Sequence, residues 1–282
     1  MTKAPRRPAG WIAPGPAPAG DQGELELLPG PDEDLTYLAG DWRIFQPRKG
    51  HRWSLDDLAT AWVALDCAPH AQSFTGVDLG TGLGSVLMLL AWAEPAASFI
   101  GLEAQATRAA RARRSLRYNG AVARCRVLDG DLRTAISELE HALPRGVALV
   151  TGTPPYFPPG AARAAEDAEA AACRIEQRGG LEVYLDVARK LVSETGNIVL
   201  CYPPTHTERS RAAALDLGLA LRERCSVIPK RGKPALLVVE RFCLTGGSTH
   251  ERELVVRDER DQWTDEFRAL RRRFGMPDRT GS

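Results

Sequence analysis

The chain has 282 residues, 44% hydrophobic and 26% charged, with 37 Lys and Arg against 36 Asp and Glu. That composition leaves room for a large core and excludes disordered, collagenous and disulfide-dense classes. The charge balance excludes a strongly basic, non-specific nucleic-acid binder, so any such contact must come from local patches.

Residues 1–23 hold five prolines and few large apolar groups, and are expected to form a disordered Pro-rich tail. Residues 24–66 read as an N-terminal extension. Its short apolar stretches, separated by Pro-Gly and Gly-Asp, suggest a few short strands. A helix then starts at Ser54, with Asp57 three residues on as a capping box and Leu55, Leu58, Trp62 and Leu65 on one face. Residues 67–282 alternate strand and helix. FTGVDL precedes a helix from about Ser85 to Glu94, SFIGLE one from Gln105 to Asn119, and RCRVLD one near Thr134 to Ala142. VALVTG (Val147 to Gly152) leads through a Pro-rich loop to a helix from about Leu181 to Ser193. The strand NIVLCY and a helix near Glu208 to Leu217 follow. RERCSVIP and ALLVVERFCL are joined only by Lys230 to Pro234, too short for a crossover helix, and are expected to be antiparallel. Gln262 to Phe274 reads as a terminal helix. The fold class expected is α/β: a doubly wound Rossmann-like sheet with one antiparallel strand near its edge, and ligands at the carboxyl ends of its first strands.

Three of those strand ends carry chemistry. The first runs Asp78-Leu79-Gly80-Thr81-Gly82-Leu83-Gly84 into a helix, and its glycines let the backbone approach a ligand closely. The spacing D-x-G-x-G-x-G differs from the G-x-G-x-x-G of pyrophosphate-binding folds. Glu103 ends the second strand, where a carboxylate can accept from both hydroxyls of a ribose. Asp131 follows the third, suited to an adenine amino group, with the Leu132 N–H facing a ring nitrogen. In this order the segments resemble the class I S-adenosylmethionine-dependent methyltransferases. The resemblance implies S-adenosylmethionine as cofactor, held by Asp78, Gly80, Gly82, Gly84, Glu103, Asp131 and Leu132.

The fourth strand ends in Thr153-Pro154-Pro155-Tyr156, followed by Phe157-Pro158-Pro159-Gly160. It resembles the Asn-Pro-Pro-Tyr loop of methyltransferases that act on planar amino nitrogens, with Thr in place of Asn. An exocyclic amine is a poor nucleophile because its lone pair is delocalised into the ring. Two acceptors, the Thr153 side chain and the Pro154 carbonyl, would favour its pyramidal form, and Tyr156 would stack on the base.

The segment Phe45-Gln46-Pro47-Arg48-Lys49-Gly50-His51-Arg52-Trp53-Ser54-Leu55-Asp56 is similar to FQ-x-KKGYRFS-x-D of bacterial tRNA(Val) adenine-N6 methyltransferases, with His51 and Trp53 for Tyr and Phe. Further echoes are Gly180-Leu181-Glu182, Gly232-Lys233-Pro234, Leu254 to Asp258 and Trp263-Thr264. That resemblance implies methylation of adenine N6 in RNA, with tRNA as partner. Alternatives are a protein glutamine or ribosomal guanine N-methyltransferase, or an inactive cofactor-binding RNA-binding or scaffold protein.

Two basic clusters, Arg48/Lys49/Arg52 and Lys230/Arg231/Lys233, are divided evenly between phosphate contacts and solvated faces. Arg108, Arg111, Arg114 and Arg117 read as the solvent face of their helix, and His206 as an exposed loop histidine. Cys67, Cys125, Cys173, Cys201, Cys225 and Cys243 are scattered, without C-x-x-C pairs or Cys/His ladders. Free buried thiols are expected, with neither metal site nor disulfides. The longest apolar run, Val86 to Ala93, is too short to span a bilayer, and the Pro-rich start lacks a signal peptide's apolar stretch. A cytoplasmic monomer is expected.

Overall fold

The computed structural model describes residues 7–8, 10–70, 72–156 and 180–278. Phe157 to Gly160 and Cys173 lie outside the described residues.

Eight strands form the main sheet: β3 (Thr75–Leu79), β4 (Ser98–Glu103), β5 (Cys125–Asp129), β6 (Val147–Gly152), β7 (Val192–Tyr202), β8 (Ala220–Ile228), β9 (Leu237–Cys243) and β10 (His250–Val255), in the order β10-β8-β9-β7-β6-β3-β4-β5. Only β9 runs against its neighbours, antiparallel to both β7 and β8. The expected doubly wound sheet with one reversed strand near the edge is therefore present. β10, parallel to β8, adds an edge strand that sequence patterning did not separate. It reads His-Glu-Arg-Glu-Leu-Val, with only Leu254 buried. Charged edge strands resist further pairing and carry little hydrophobic signal.

Helices cover both faces. On one side pack α1 (Leu55–Cys67), α2 (Ser85–Ala93), α3 (Ala106–Tyr118) and α7 (Asp265–Arg273). On the other lie α4 (Leu132–Ala142), α5 (Leu181–Leu191) and α6 (Thr207–Asp216). α2 is apolar on all sides (SVLMLLAWA) because sheet, α1 and the N-terminal hairpin enclose it. α1 begins at the expected cap, with Asp57 Oδ2 accepting from the Ser54 N–H at 2.8 Å.

The extension contributes a hairpin, β1 (Glu33–Ala39) with β2 (Trp42–Pro47). The second edge of β2 is satisfied by side chains of α3. Asn119 accepts from the Arg43 N–H (2.9 Å) and donates to the Arg43 carbonyl (2.7 Å), and Ser115 Oγ accepts from the Phe45 N–H (3.0 Å). The arginines read as a solvent face hold this extension. Arg111 and Arg114 both pair with Glu33 (3.0 and 2.7 Å), and Arg117 pairs with Glu24 and Glu26. Arg108 points elsewhere and is only 5% exposed.

The tail expected to be disordered also has partners from residue 7 onward. Arg7 pairs with Asp41 and lies over the Tyr37 ring, a Cβ on Gly15 would meet the Trp92 indole, and the Gly20 N–H donates to the Tyr118 carbonyl at 2.9 Å. Proline reduces the entropy lost on ordering, so a few anchors suffice. His206 is likewise not exposed: it sits in a short 3₁₀ turn, 7% exposed, its ring stacked on Tyr202. Of the described cysteines all are free, four of them buried.

Candidate active site

Chain order reverses between β3 and β6, where a doubly wound sheet opens a crevice at its carboxyl edge. The register brings the predicted loops level there. Leu79 lies beside Leu102 and Gly152, and Glu103 beside Asp129, so the segments that follow these strands emerge together. One cavity is lined by Gly80, Gly82, Glu103, Asp131, Leu132, Thr153 and Pro155.

The glycine loop has its residues for a reason. Gly80 and Gly82 adopt φ of +60° and +59°, and a Cβ on either would run into a side chain. Gly80 would strike the Tyr184 hydroxyl, and Gly82 would lie 2.7 Å from Arg108 Nη2. Gly84, also at positive φ, precedes α2 and packs against Ala112 rather than lining the cavity. Asp78 does not line it either. Its Oδ2 accepts from Thr81 Oγ1 (2.5 Å) and its Oδ1 from Thr151 Oγ1 (2.7 Å), so it ties the loop to β6 from beneath. Burial pushes its carboxyl up to about 6, against the pull of the two hydroxyls.

Glu103 lines the cavity with both oxygens already accepting backbone N–H groups, Gly82 at 2.8 Å and Gln105 at 2.7 Å. A carboxylate oxygen has two lone pairs, so each retains capacity for a hydroxyl. Asp131 caps α4, and Arg133 folds back on it through the guanidinium (2.7 and 2.8 Å) and the N–H (3.0 Å).

Thr153 and Pro155 face the cavity, while Pro154 is buried. Tyr156 is tied down. Its hydroxyl donates to Asp56 Oδ2 at 3.0 Å, its ring packs against both hydrophobic cores, and burial holds the phenol protonated. The structure gives Tyr156 the work of anchoring the loop to α1.

Other lining residues lay outside the sequence-based site: His51, Trp53 and Asp57 from the extension, Ser85 from α2, Gln105 and Arg108 from α3, and Tyr184 from α5. Asp57 Oδ1 accepts from Ser85 Oγ (2.8 Å). Its carboxyl is pushed up to about 8, first by burial and then by the neighbouring Asp56. The capping box was the available signal for Asp57, although such a box serves any helix start. Among the described residues no group of three His, Cys, Asp or Glu side chains could hold a metal ion, and no helix is long and apolar enough to cross a membrane.

The cavity's chemistry suits S-adenosylmethionine. Glycines at positive φ make a cradle that side chains would fill, the Glu103 and Asp131 carboxylates supply acceptors of the kind ribose hydroxyls and a purine amine need, and a buried guanidinium nitrogen, Arg108 Nη1, has no hydrogen-bond partner.

No family model matches the chain. A protein of Histophilus somni named tRNA1(Val) (adenine(37)-N6)-methyltransferase is 27% identical over 220 residues, covering 77% of this chain and 86% of that one. Among solved structures, a predicted O-methyltransferase from Agrobacterium tumefaciens is 20% identical with a TM-score of 0.59, covering 80% of this chain and all of that one. A SAM-dependent methyltransferase from the same organism is 14% identical with a TM-score of 0.53, covering 77% and 72%. Sheet order and these likenesses agree: the chain has the fold of the S-adenosylmethionine-dependent methyltransferases and resembles tRNA adenine-N6 methyltransferases in sequence.

Proposed function

We propose that the chain methylates an exocyclic amino group of RNA, adenine N6 in a tRNA. The observation that carries this reading is that Thr153 and Pro155, at the end of β6, line the same cavity as Gly80, Gly82 and Glu103. An amine seated at the Thr-Pro-Pro-Tyr loop therefore lies beside the cofactor. When bound, S-adenosylmethionine supplies an electrophilic methyl group at its sulfonium.

The protein's part is to make the amine nucleophilic and to aim it. The Pro154 carbonyl, fixed in direction by the ring's restricted φ, accepts one amine hydrogen. The Thr153 hydroxyl accepts the other. Asp56 holds the loop through Tyr156, so its carbonyls need no reorganisation at the moment of transfer. Trp53, partly buried on the cavity wall, offers a ring face for a flipped base, the place that sequence reasoning gave to Tyr156.

The names of the relatives support tRNA as the RNA. The basic clusters support it less evenly than their sequence suggests. Arg48 and Arg52 both pair with Asp34, Lys230 with Asp261 and Arg231 with Glu259. Lys49 and Lys233 are exposed and pair with no acid among the described residues. The test is methyl transfer from S-adenosylmethionine to total tRNA from cells lacking the protein, with nucleosides read by mass spectrometry. N6-methyladenosine formed by the protein supports the reading. Methylation of guanine or of protein glutamine alone, or no transfer at all, would reject it.

A further inference from the structure

We propose that Arg108 is the receptor for the α-carboxylate of the cofactor; this rests on the assignment of S-adenosylmethionine to the cavity. Arg108 lies in the first turn of α3, five residues past Glu103, and reaches across to the glycine loop, with Nη2 against Gly82. It is 5% exposed, it lines the cavity, and Nη1 is buried without a hydrogen-bond partner. A buried guanidinium needs a counter-charge and hydrogen-bond acceptors to offset its lost hydration.

The acids nearby are engaged with other donors. Glu103 accepts from Gly82 and Gln105, Asp131 from Arg133, and Asp57 from Ser54 and Ser85. None of them forms an ion pair with Arg108 among the described residues. S-adenosylmethionine carries one anionic group, the carboxylate of its methionine part, and the planar fork of a guanidinium matches a carboxylate through two parallel hydrogen bonds. The glycine at position 82 thus has a second reason besides its positive φ: any side chain there would displace the guanidinium.

The experiment is calorimetric binding of two ligands, S-adenosylhomocysteine and its decarboxylated analogue, which keeps the adenosine, thioether and amine. Arg108→Gln is expected to weaken S-adenosylhomocysteine roughly tenfold to a hundredfold, the worth of a charge-assisted pair, and to leave the decarboxylated ligand within about twofold. Arg108→Lys, which keeps the charge but not the fork, should fall between, and it serves as the test if Arg108→Gln does not fold. Equal weakening of both ligands, or of neither, would overturn the proposal. Failure of the wild-type protein to bind either ligand would instead overturn the cofactor assignment.

Discussion

Replacing Asp57 by Asn should remove a pH dependence that the wild-type fold carries in its cavity wall. Burial and the adjacent Asp56 push the Asp57 carboxyl up to about 8, against the pull of the Ser54 N–H and the Ser85 hydroxyl. In the unfolded chain the same group ionises near pH 4. Between roughly pH 5 and 7 the native state therefore binds one proton more than the unfolded state. Stability should fall as pH rises through that window, by about 1.4 kcal/mol per pH unit, relative to Asp57→Asn. Asp78, pushed up to about 6, contributes the same slope to both proteins and cancels in the difference.

Around Asp57 stand Asp56 on α1, Asp78 beneath the loop, and His51, Glu103 and Arg108 on the cavity wall. A sulfonium entering this wall favours the ionised carboxylate. S-adenosylmethionine should thus release close to one proton on binding at pH 7, and its affinity should rise up to about tenfold per pH unit towards pH 8 and then level off. Urea unfolding of both proteins from pH 5 to 8, and calorimetry at pH 7 in buffers of different ionisation enthalpy, measure the two effects. Superimposable stability slopes for wild type and Asp57→Asn would refute the reasoning, as would binding with no proton release.

Thr153→Val keeps the shape of the loop and removes the acceptor, so methyl transfer to tRNA should drop tenfold or more, each tenfold being about 1.36 kcal/mol, while the cofactor dissociation constant stays put. Thr153→Asn should preserve or raise the rate; full activity of Thr153→Val in single-turnover assays would leave the Pro154 carbonyl as the sole acceptor. Glu103→Ala should weaken S-adenosylhomocysteine by roughly 1.5 to 3 kcal/mol per lost charge-assisted hydrogen bond, and should also slacken the loop at Gly82, which calorimetry and hydrogen exchange at that amide would report. Lys49→Ala should flatten the salt dependence of RNA binding by about 0.7 log unit for one single-strand phosphate contact. Arg52→Ala, which breaks a pair with Asp34, should lower stability and change that slope less; the reverse order in filter binding would show Arg52 to be the phosphate contact.

The sheet was legible because each strand ends in punctuation that its function requires, and parallel register then lines those ends up. Gly80, Glu103, Asp131 and Thr153 line one cavity for that reason. Asp78 lies beneath the cavity on two threonines, and a strand-end acid reads alike in either setting. The wall made by His51, Trp53 and Asp57 depends on where the extension packs, which no local pattern encodes. Arg108 shows a signal that was present and misread. The four arginines repeat every three residues, and Arg108 to Arg117 is about two and a half turns, so the first and last must face opposite sides of α3. Arg117 meets the extension and Arg108 the cavity. β10 escaped notice because three of its six residues are charged and only Leu254 is buried.

The way α3 completes the edge of β2 sets an order of assembly. The backbone groups of Arg43 and Phe45 are synthesised about seventy residues ahead of the Asn119 and Ser115 side chains that satisfy them. A two-stranded hairpin alone in water is at best marginally stable. The hairpin is therefore expected to close late, once α3 is in place to receive it. Since the chain runs from β2 through His51 and Trp53 to the start of α1, that part of the cavity wall is expected to depend on this docking. Amides of β2 should accordingly exchange with solvent at a lower opening free energy than those of β3 and β4, marking the extension as the first part of the fold to come away.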